Sequence, residues 1–313
     1  MADKTSPVDH SPGVPQRQRV CAVVVTFDPD EELMRGLTIV REQVDGLVVV
    51  DNSLSASRRE VVAQAVAATG ATLVSNPQNL GIAAALNQGA SRALESGYEW
   101  LLMLDQDTWP EPFMIDELAR AYQACPFRDR LAIVGSAVPE TQSYAYCRGR
   151  SWAEQEAVIT SGSLLRLEAF QRGGPFGEDF FIDYVDLEYC LRMRSLGYRV
   201  ILTCRPTMQH HIGHPRRHRL VYRDVTPTHH SPLRRYYITR NRIVVWRQYA
   251  RTERRFVAWD AVACVKEAIK LLFFERDRGA KARAMARGVR DALAGRLGPA
   301  GATTTPAPPA RVR

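Results

Sequence analysis

The sequence predicts an α/β protein: a mostly parallel central sheet flanked by helices, followed by a C-terminal helical extension. Three observations carry this. Over the first hundred residues, short β-branched runs and helical runs alternate four times, the pattern of strands that need helices on both faces. Each strand candidate then stops on polar residues: Thr26 and Asp28, Asp51 and Asn52, Asn79, Asp105 and Asp107. In open α/β sheets those carboxyl ends are where ligands bind. Finally, neither a Gly-rich dinucleotide fingerprint nor a Gly-Lys-Ser phosphate loop is present, which disfavours dehydrogenases and P-loop kinases.

In chain order, Val20 to Phe27 is an apolar β-branched run broken by Asp28-Pro29-Asp30. Leu33, Leu37, Val40 and Val44 then recur at helical spacing within Glu31 to Val44. Leu47 to Val50 predicts the second strand, Arg58 to Thr69 a helix closed by Gly70, and Ala71 to Ser75 the third strand. Ile82 to Ser96 predicts the third helix and Leu101 to Leu104 a buried strand. Two carboxylates at the end of that strand, Asp105 and Asp107, can share a hard divalent cation completed by phosphate oxygens. The same pattern also fits an ordinary strand exit with solvated aspartates.

The second half is less regular. Glu111 to Ala124 predicts a helix, Leu131 to Val138 a strand, and Tyr144 to Glu156 a loop. Val158 to Arg166 reads as a strand interrupted by Gly162, where backbone can approach a ligand closely. Phe180 to Glu188 alternates aromatics and acids before a helix running through Leu196. Acids at a helix N-terminus suit the helix dipole. A carboxylate among Phe180, Phe181 and Tyr184 would also be partly desolvated, which raises its basicity. Arg199 to Thr203 and Thr207 to His211 predict short strands leading to His210, His211 and His214, either packed residues or ligands beside the proposed cation. Pro232 to Ala250, Phe256 to Phe274 and Gly279 to Leu297 predict three helices. The second has an apolar side (Val262, Val265, Ile269, Leu272, Phe273), which fits packing on the domain or lying on an anionic membrane.

Bulk properties are those of a globular protein: 45% hydrophobic, 24% charged, net charge +8. No run reaches a membrane span, and the first residues do not read as a secretory signal. The six scattered cysteines, with no Cys-x-x-Cys pair, read as reduced structural thiols of a cytoplasmic protein. Between Gly213 and Arg255 there are twelve arginines but only two acids, Asp224 and Glu253. Nucleic acid, anionic lipid and nucleotide-linked substrates are all compatible partners of such a stretch.

The motifs Val-Val-Thr-Phe, Val-Asp-Asn-Ser, Asn-Leu-Gly-Ile-Ala-Ala-Ala-Leu-Asn-Gln-Gly, Leu-Asp-Gln-Asp, Phe-Ile-Asp-Tyr-Val-Asp-Leu-Glu and His-His-Ile-Gly occur in this order. Together they resemble the family 2 inverting glycosyltransferases of GT-A fold. Ser231-Pro232-Leu233-Arg234-Arg235-Tyr236-Tyr237 with Arg240-Asn241 is similar to the bacterial rhamnosyltransferase branch. The resemblance covers about Val20 to Tyr249. It implies that Thr26, Asp51, Asn79 and Gly81 hold the nucleotide, with Asp105 by the ribose and metal. It further implies that Asp107, with Asp105 and His210, binds Mg²⁺ or Mn²⁺, and that Asp186 deprotonates the acceptor hydroxyl. Many relatives have Glu-Asp where this chain has Val185-Asp186, so Asp183 competes as the base. Arg234, Arg235 and Arg240 are expected to steady phosphates by bidentate contact.

The expected organisation is a disordered leader over 1–19, a transferase domain over 20–230, a helical extension over 231–297 and a disordered tail over 298–313. The expected reaction is metal-dependent, inverting transfer of L-rhamnose from dTDP-L-rhamnose to a cell-envelope polysaccharide or glycolipid. The expected setting is the cytoplasm, at or near the inner face of the membrane. The alternatives are another donor such as UDP-galactofuranose, an inactive nucleotide-sugar binder, and a nucleic-acid-binding module. The last leaves Asp105, Asp107 and Asp186 without a purpose, since carboxylates repel a phosphate backbone.

Overall fold

A computed structural model describes residues 13–137, 147, 149–210, 218–220, 223–225 and 230–301. Strands β1 (Val20–Thr26), β2 (Gly46–Asp51), β3 (Thr72–Ser75) and β4 (Trp100–Asp105) alternate with α1 (Glu32–Arg41), α2 (Ala56–Thr69) and α3 (Gly81–Glu95). There follow β5 (Thr108–Pro110), α4 (Met114–Ala124), β6 (Leu131–Ala137), β7 (Trp152–Gln155), β8 (Ser163–Arg166) and α5 (Leu167–Gly173). Then come α6 (Val185–Ser195), β9 (Arg199–Pro206), β10 (Met208–His210), β11 (His218–Leu220) and β12 (Arg223–Val225). Three helices complete the described chain: α7 (Pro232–Tyr249), α8 (Arg254–Phe274) and α9 (Arg278–Leu293).

Eight strands form the main sheet in the order β3-β2-β1-β4-β8-β6-β9-β7. The first four are parallel; β8 enters antiparallel between β4 and β6. Side-chain alternation divides β1 between two cores. Cys21 and Val23 face α3 and α6, whereas Val20, Ala22 and Val24 face α1 and α4. Both faces being covered explains why the strands read as continuous apolar runs. Register then aligns the strand ends: Thr26 pairs with Asp51, Asp51 with Ser75, and Val25 with Asp105. The polar residues singled out at the strand ends therefore share one rim.

Several boundaries differ from the sequence expectation. Residues 13–19 belong to the fold: Gly13 N–H donates to Glu99, Trp100 Nε1 donates to Gly13 O, and Arg19 pairs with Glu99. Residues 298–301 are placed too, with Gly298 N–H donating to Asp179 O at 2.7 Å and Ala300 N–H to the Tyr237 hydroxyl at 2.6 Å. The stretch expected as a loop contains β7. Only Ser163–Arg166 of the expected 158–166 strand joins the ladder, because Gly162 adopts φ +77 and turns the chain. Val245 and Tyr249 of α7 and Phe256 of α8 join the core of the sheet, so the extension is continuous with the domain.

The cysteine expectation is corrected. Cys147 and Cys204 form a disulfide across 57 residues, whereas Cys21, Cys125 and Cys190 are free and buried and Cys264 is free and half-buried. A pairing made by chain reversal over that separation leaves no spacing signature. No helix among the described residues is long and apolar enough to cross a membrane.

Candidate active site

At the first strand end, Asp51 is buried and its Oδ1 accepts from the Thr26 hydroxyl at 2.8 Å and from Ser53 Oγ at 2.5 Å. Asn52 Nδ2 donates to Gly81 O, Asn76 Nδ2 donates to Asn52 Oδ1, and Gly81 N–H donates to Asn79 Oδ1 at 2.9 Å. Thr26, Asp51, Asn79 and Gly81 thus belong to one hydrogen-bonded rim. Gly81 has φ +85, and a Cβ there would lie 2.5 Å from Phe181 O. Only glycine allows this approach between the start of α3 and the 180–184 segment, which Ile82 N–H joins by donating to Phe181 O at 2.8 Å.

At the end of β4, Asp105 is half-buried and Asp107 exposed. Gln106 accepts from Phe27 N–H, fixing the chain between them to the end of β1. β10 pairs antiparallel with β5 and sets His210 opposite Thr108. His211 and His214 lie outside the described residues. Among the described residues no three His, Cys, Asp or Glu form a ready metal cage. Two carboxylates two residues apart suit a hard cation whose remaining positions are oxygen from phosphate or water, so the residues fit Mg²⁺ or Mn²⁺.

The turn Thr160-Ser161-Gly162 joins this end to the acidic helix. Asp105 N–H donates to Ser161 Oγ at 3.1 Å, while the adjacent Thr160 N–H donates to Asp186 Oδ2 at 3.3 Å. Asp186 Oδ1 accepts from Leu187 N–H at 2.8 Å. Asp186 also borders a small cleft with Met103, Ile133, Val158, Ile159 and Phe176. Loss of water in these apolar surroundings raises its pKa, against the two backbone donors.

Asp183 differs. Desolvation raises its pKa too, but Arg234 opposes this through an ion pair at 3.1 Å. Phe181, Asp183 and Tyr184 all have positive φ, between 61° and 66°, a region that costs non-glycine residues energy and persists only where surroundings impose it. Asn241 supplies that restraint: its Nδ2 lies 3.0, 2.9 and 2.9 Å from the carbonyls of Phe180, Ile182 and Asp183.

The three arginines separate. Arg234 is exposed beside Asp183. Arg235 is 3% exposed and its guanidinium pairs with Glu275 at 2.5 Å and Glu267 at 3.5 Å. Arg240 is 0% exposed and donates to the carbonyls of Gly298, Asp179 and Phe180 and to Asn241 Oδ1. Neither Arg235 nor Arg240 presents its guanidinium to the crevice as expected from sequence. Arg240 braces the 179–180 segment, and Arg235 ties α7 to Glu267 and Glu275. Sequence reasoning also missed Thr160, Ser161 and Asn241; the Arg-Asn pair in the α7 motif was the available signal for the last.

Residues 21–157 match the family described as Glycosyl transferase family 2. The chain is similar to the dTDP-rhamnosyl transferase RfbF of Shigella flexneri, 29% identical over 248 residues that cover 73% of this chain and 80% of the relative. Among solved structures, S. aureus TarS 1-349 in complex with UDP-GlcNAc superposes with a TM-score of 0.51 at 11% identity, covering 88% of this chain and 82% of that one. That likeness gives the fold as GT-A-like. A longer S. aureus TarS chain matches with a TM-score of 0.48 and 13% identity over 87% of this chain, which spans 43% of it.

Proposed function

We propose that the chain is a glycosyltransferase of family 2 that moves L-rhamnose from dTDP-L-rhamnose to a hydroxyl of a cell-envelope polysaccharide or glycolipid, with inversion. The observation that supports this is the Thr160-Ser161 turn, which joins Asp105 and Asp186 through adjacent residues. The choice of dTDP-rhamnose rests on the similarity to RfbF.

In this reading the nucleoside lies on the rim of Thr26, Asp51, Asn79 and Gly81. Asp105 and Asp107 would hold Mg²⁺ or Mn²⁺, with His210 the further ligand that the resemblance implies. Bound there, such an ion would supply charge neutralisation to the leaving diphosphate. Asp186 accepts the proton of the acceptor hydroxyl as that oxygen attacks the anomeric carbon from the face opposite the diphosphate. Its carboxylate serves better than an ordinary aspartate because desolvation raises its basicity. Asp183 is held in an ion pair with Arg234. A lipid-linked acceptor would bring the enzyme to the inner face of the cell membrane. Of the twelve arginines that favoured a nucleic-acid module, Arg235 and Arg242 are paired with internal acids and Arg240 is buried against backbone carbonyls.

Calorimetry tests this. dTDP-L-rhamnose is expected to bind in a Mn²⁺-dependent manner, in preference to UDP-galactose, UDP-galactofuranose and a DNA duplex. Preference for a UDP-sugar would discard rhamnose. Salt-sensitive DNA binding without affinity for any sugar nucleotide would overturn the whole reading.

A further inference from the structure

α8 is inside out. Its acids turn inward: Asp260 is buried against Arg242, Trp246 and Tyr184, and Glu267 pairs with Arg235 and Arg242. Its outward face is apolar. Trp259, Val262, Val265, Ile269, Leu272 and Phe273 are each between 50% and 66% exposed, and their three- and four-residue spacing places them on one side of the helix. Large side chains in such a contiguous stripe mark an interaction surface.

We propose that this face docks on an anionic phospholipid bilayer, with α8 lying in the plane of the headgroups. The choice of occupant follows from charge. Arg254, Arg255 and Lys266 are exposed on α8, and Arg276 and Arg278 are exposed just beyond it. Asp277 is the exposed acid among them; Glu253, before the helix, is paired with Arg194. A second copy seated face to face would bring these cations against their own images, since a two-fold interface is self-complementary. An anionic headgroup layer neutralises them while the acyl region takes the apolar side chains. Trp259 at the margin of the stripe suits the headgroup level, where amphipathic rings collect. Because no described helix can cross a bilayer, the contact is with its surface. The inference deepens the proposed function by bringing the enzyme to the layer that would carry a lipid-linked acceptor, although the surface itself does not depend on the donor.

The test is co-sedimentation of the full chain with vesicles of phosphatidylcholine alone or mixed equally with phosphatidylglycerol. Binding to the mixed vesicles is expected, weakened on the order of tenfold by high salt. The double variant Ile269→Glu, Phe273→Glu should lose it, and Lys266→Glu should weaken it on anionic vesicles only. Donor calorimetry on the same samples should be unchanged, which separates failure of the surface from failure of the transferase reading. Absence of wild-type binding, or undiminished binding by the double variant, overturns the proposal. So does a concentration-dependent dimer that the double variant dissolves while vesicles remain unbound, which would give the face to a second copy.

Discussion

The Tyr184 hydroxyl donates to the Asp260 carboxylate at 2.9 Å, tying the turn that precedes Asp186 to α8 across 76 residues of chain. Asp260 also accepts from Trp246 Nε1 at 2.7 Å, and Arg242 Nε donates to the Tyr184 oxygen at 2.5 Å. Tyr184 has φ +66, so this network helps hold a residue in a region it does not favour.

Tyr184→Phe is therefore expected to destabilise the protein by about 1.5–3 kcal/mol, the worth of a buried hydrogen bond to a charged acceptor. Because the turn positions Asp186, kcat should fall while donor affinity holds. Thermal melts with steady-state kinetics check this. A stability loss without any fall in kcat would make the network purely structural.

Asp186 carries a stability prediction whose sign is opposite to that of its activity. Its folded-state pKa is raised by burial, so the native state holds the proton more tightly than the unfolded chain. Stability from this group is present below the ordinary aspartate value and declines as pH rises through the raised one. Asp186→Asn should consequently raise the melting temperature at neutral pH while sharply lowering the rate of transfer. The acid limb of the wild-type kcat profile should lie above the ordinary carboxylate range.

Arg240 separates a phosphate ligand from an internal brace. Arg240→Lys cannot reproduce a fork of donors to three carbonyls and Asn241, so about 1–3 kcal/mol of stability should be lost through unpaired buried groups. Donor affinity of the folded variant should match wild type. Loss of donor binding with unchanged stability would restore Arg240 to the phosphate site.

Asp107 is exposed, so Asp107→Ala should leave the melting temperature unaltered. The Mn²⁺-dependent part of donor affinity should fall by at least about tenfold, as metal sites do when their supporting groups are lost. Calorimetry with and without Mn²⁺ measures it.

The alternating half of the fold was legible because strands covered on both faces cannot hide their apolar content. The rim residues were legible because strands of a parallel sheet end together. Charge direction was not. A helical period shows that α8 has an apolar side, but only the packing of Arg235 and Arg242 shows that its acids face inward. Likewise an arginine in a motif does not reveal that its donors meet carbonyls of Phe180 and Gly298 from distant segments. Thr160 and Ser161 looked like strand residues, and the turn that makes them a bridge depends on the left-handed Gly162 beside them.

Asp186 as the base is the central claim. It rests on contrast with Asp183, which Arg234 neutralises at 3.1 Å, whereas Asp186 accepts from backbone amides and borders an apolar cleft. The measurement is dTDP release from dTDP-L-rhamnose in the presence of acceptor, compared across Asp186→Asn, Asp183→Asn and wild type. Asp186→Asn should lower turnover by about 10²–10⁴-fold with unchanged donor affinity, and Asp183→Asn should retain most of it. Near-normal turnover in Asp186→Asn with an inactive Asp183→Asn would contradict the account and move the base to Asp183.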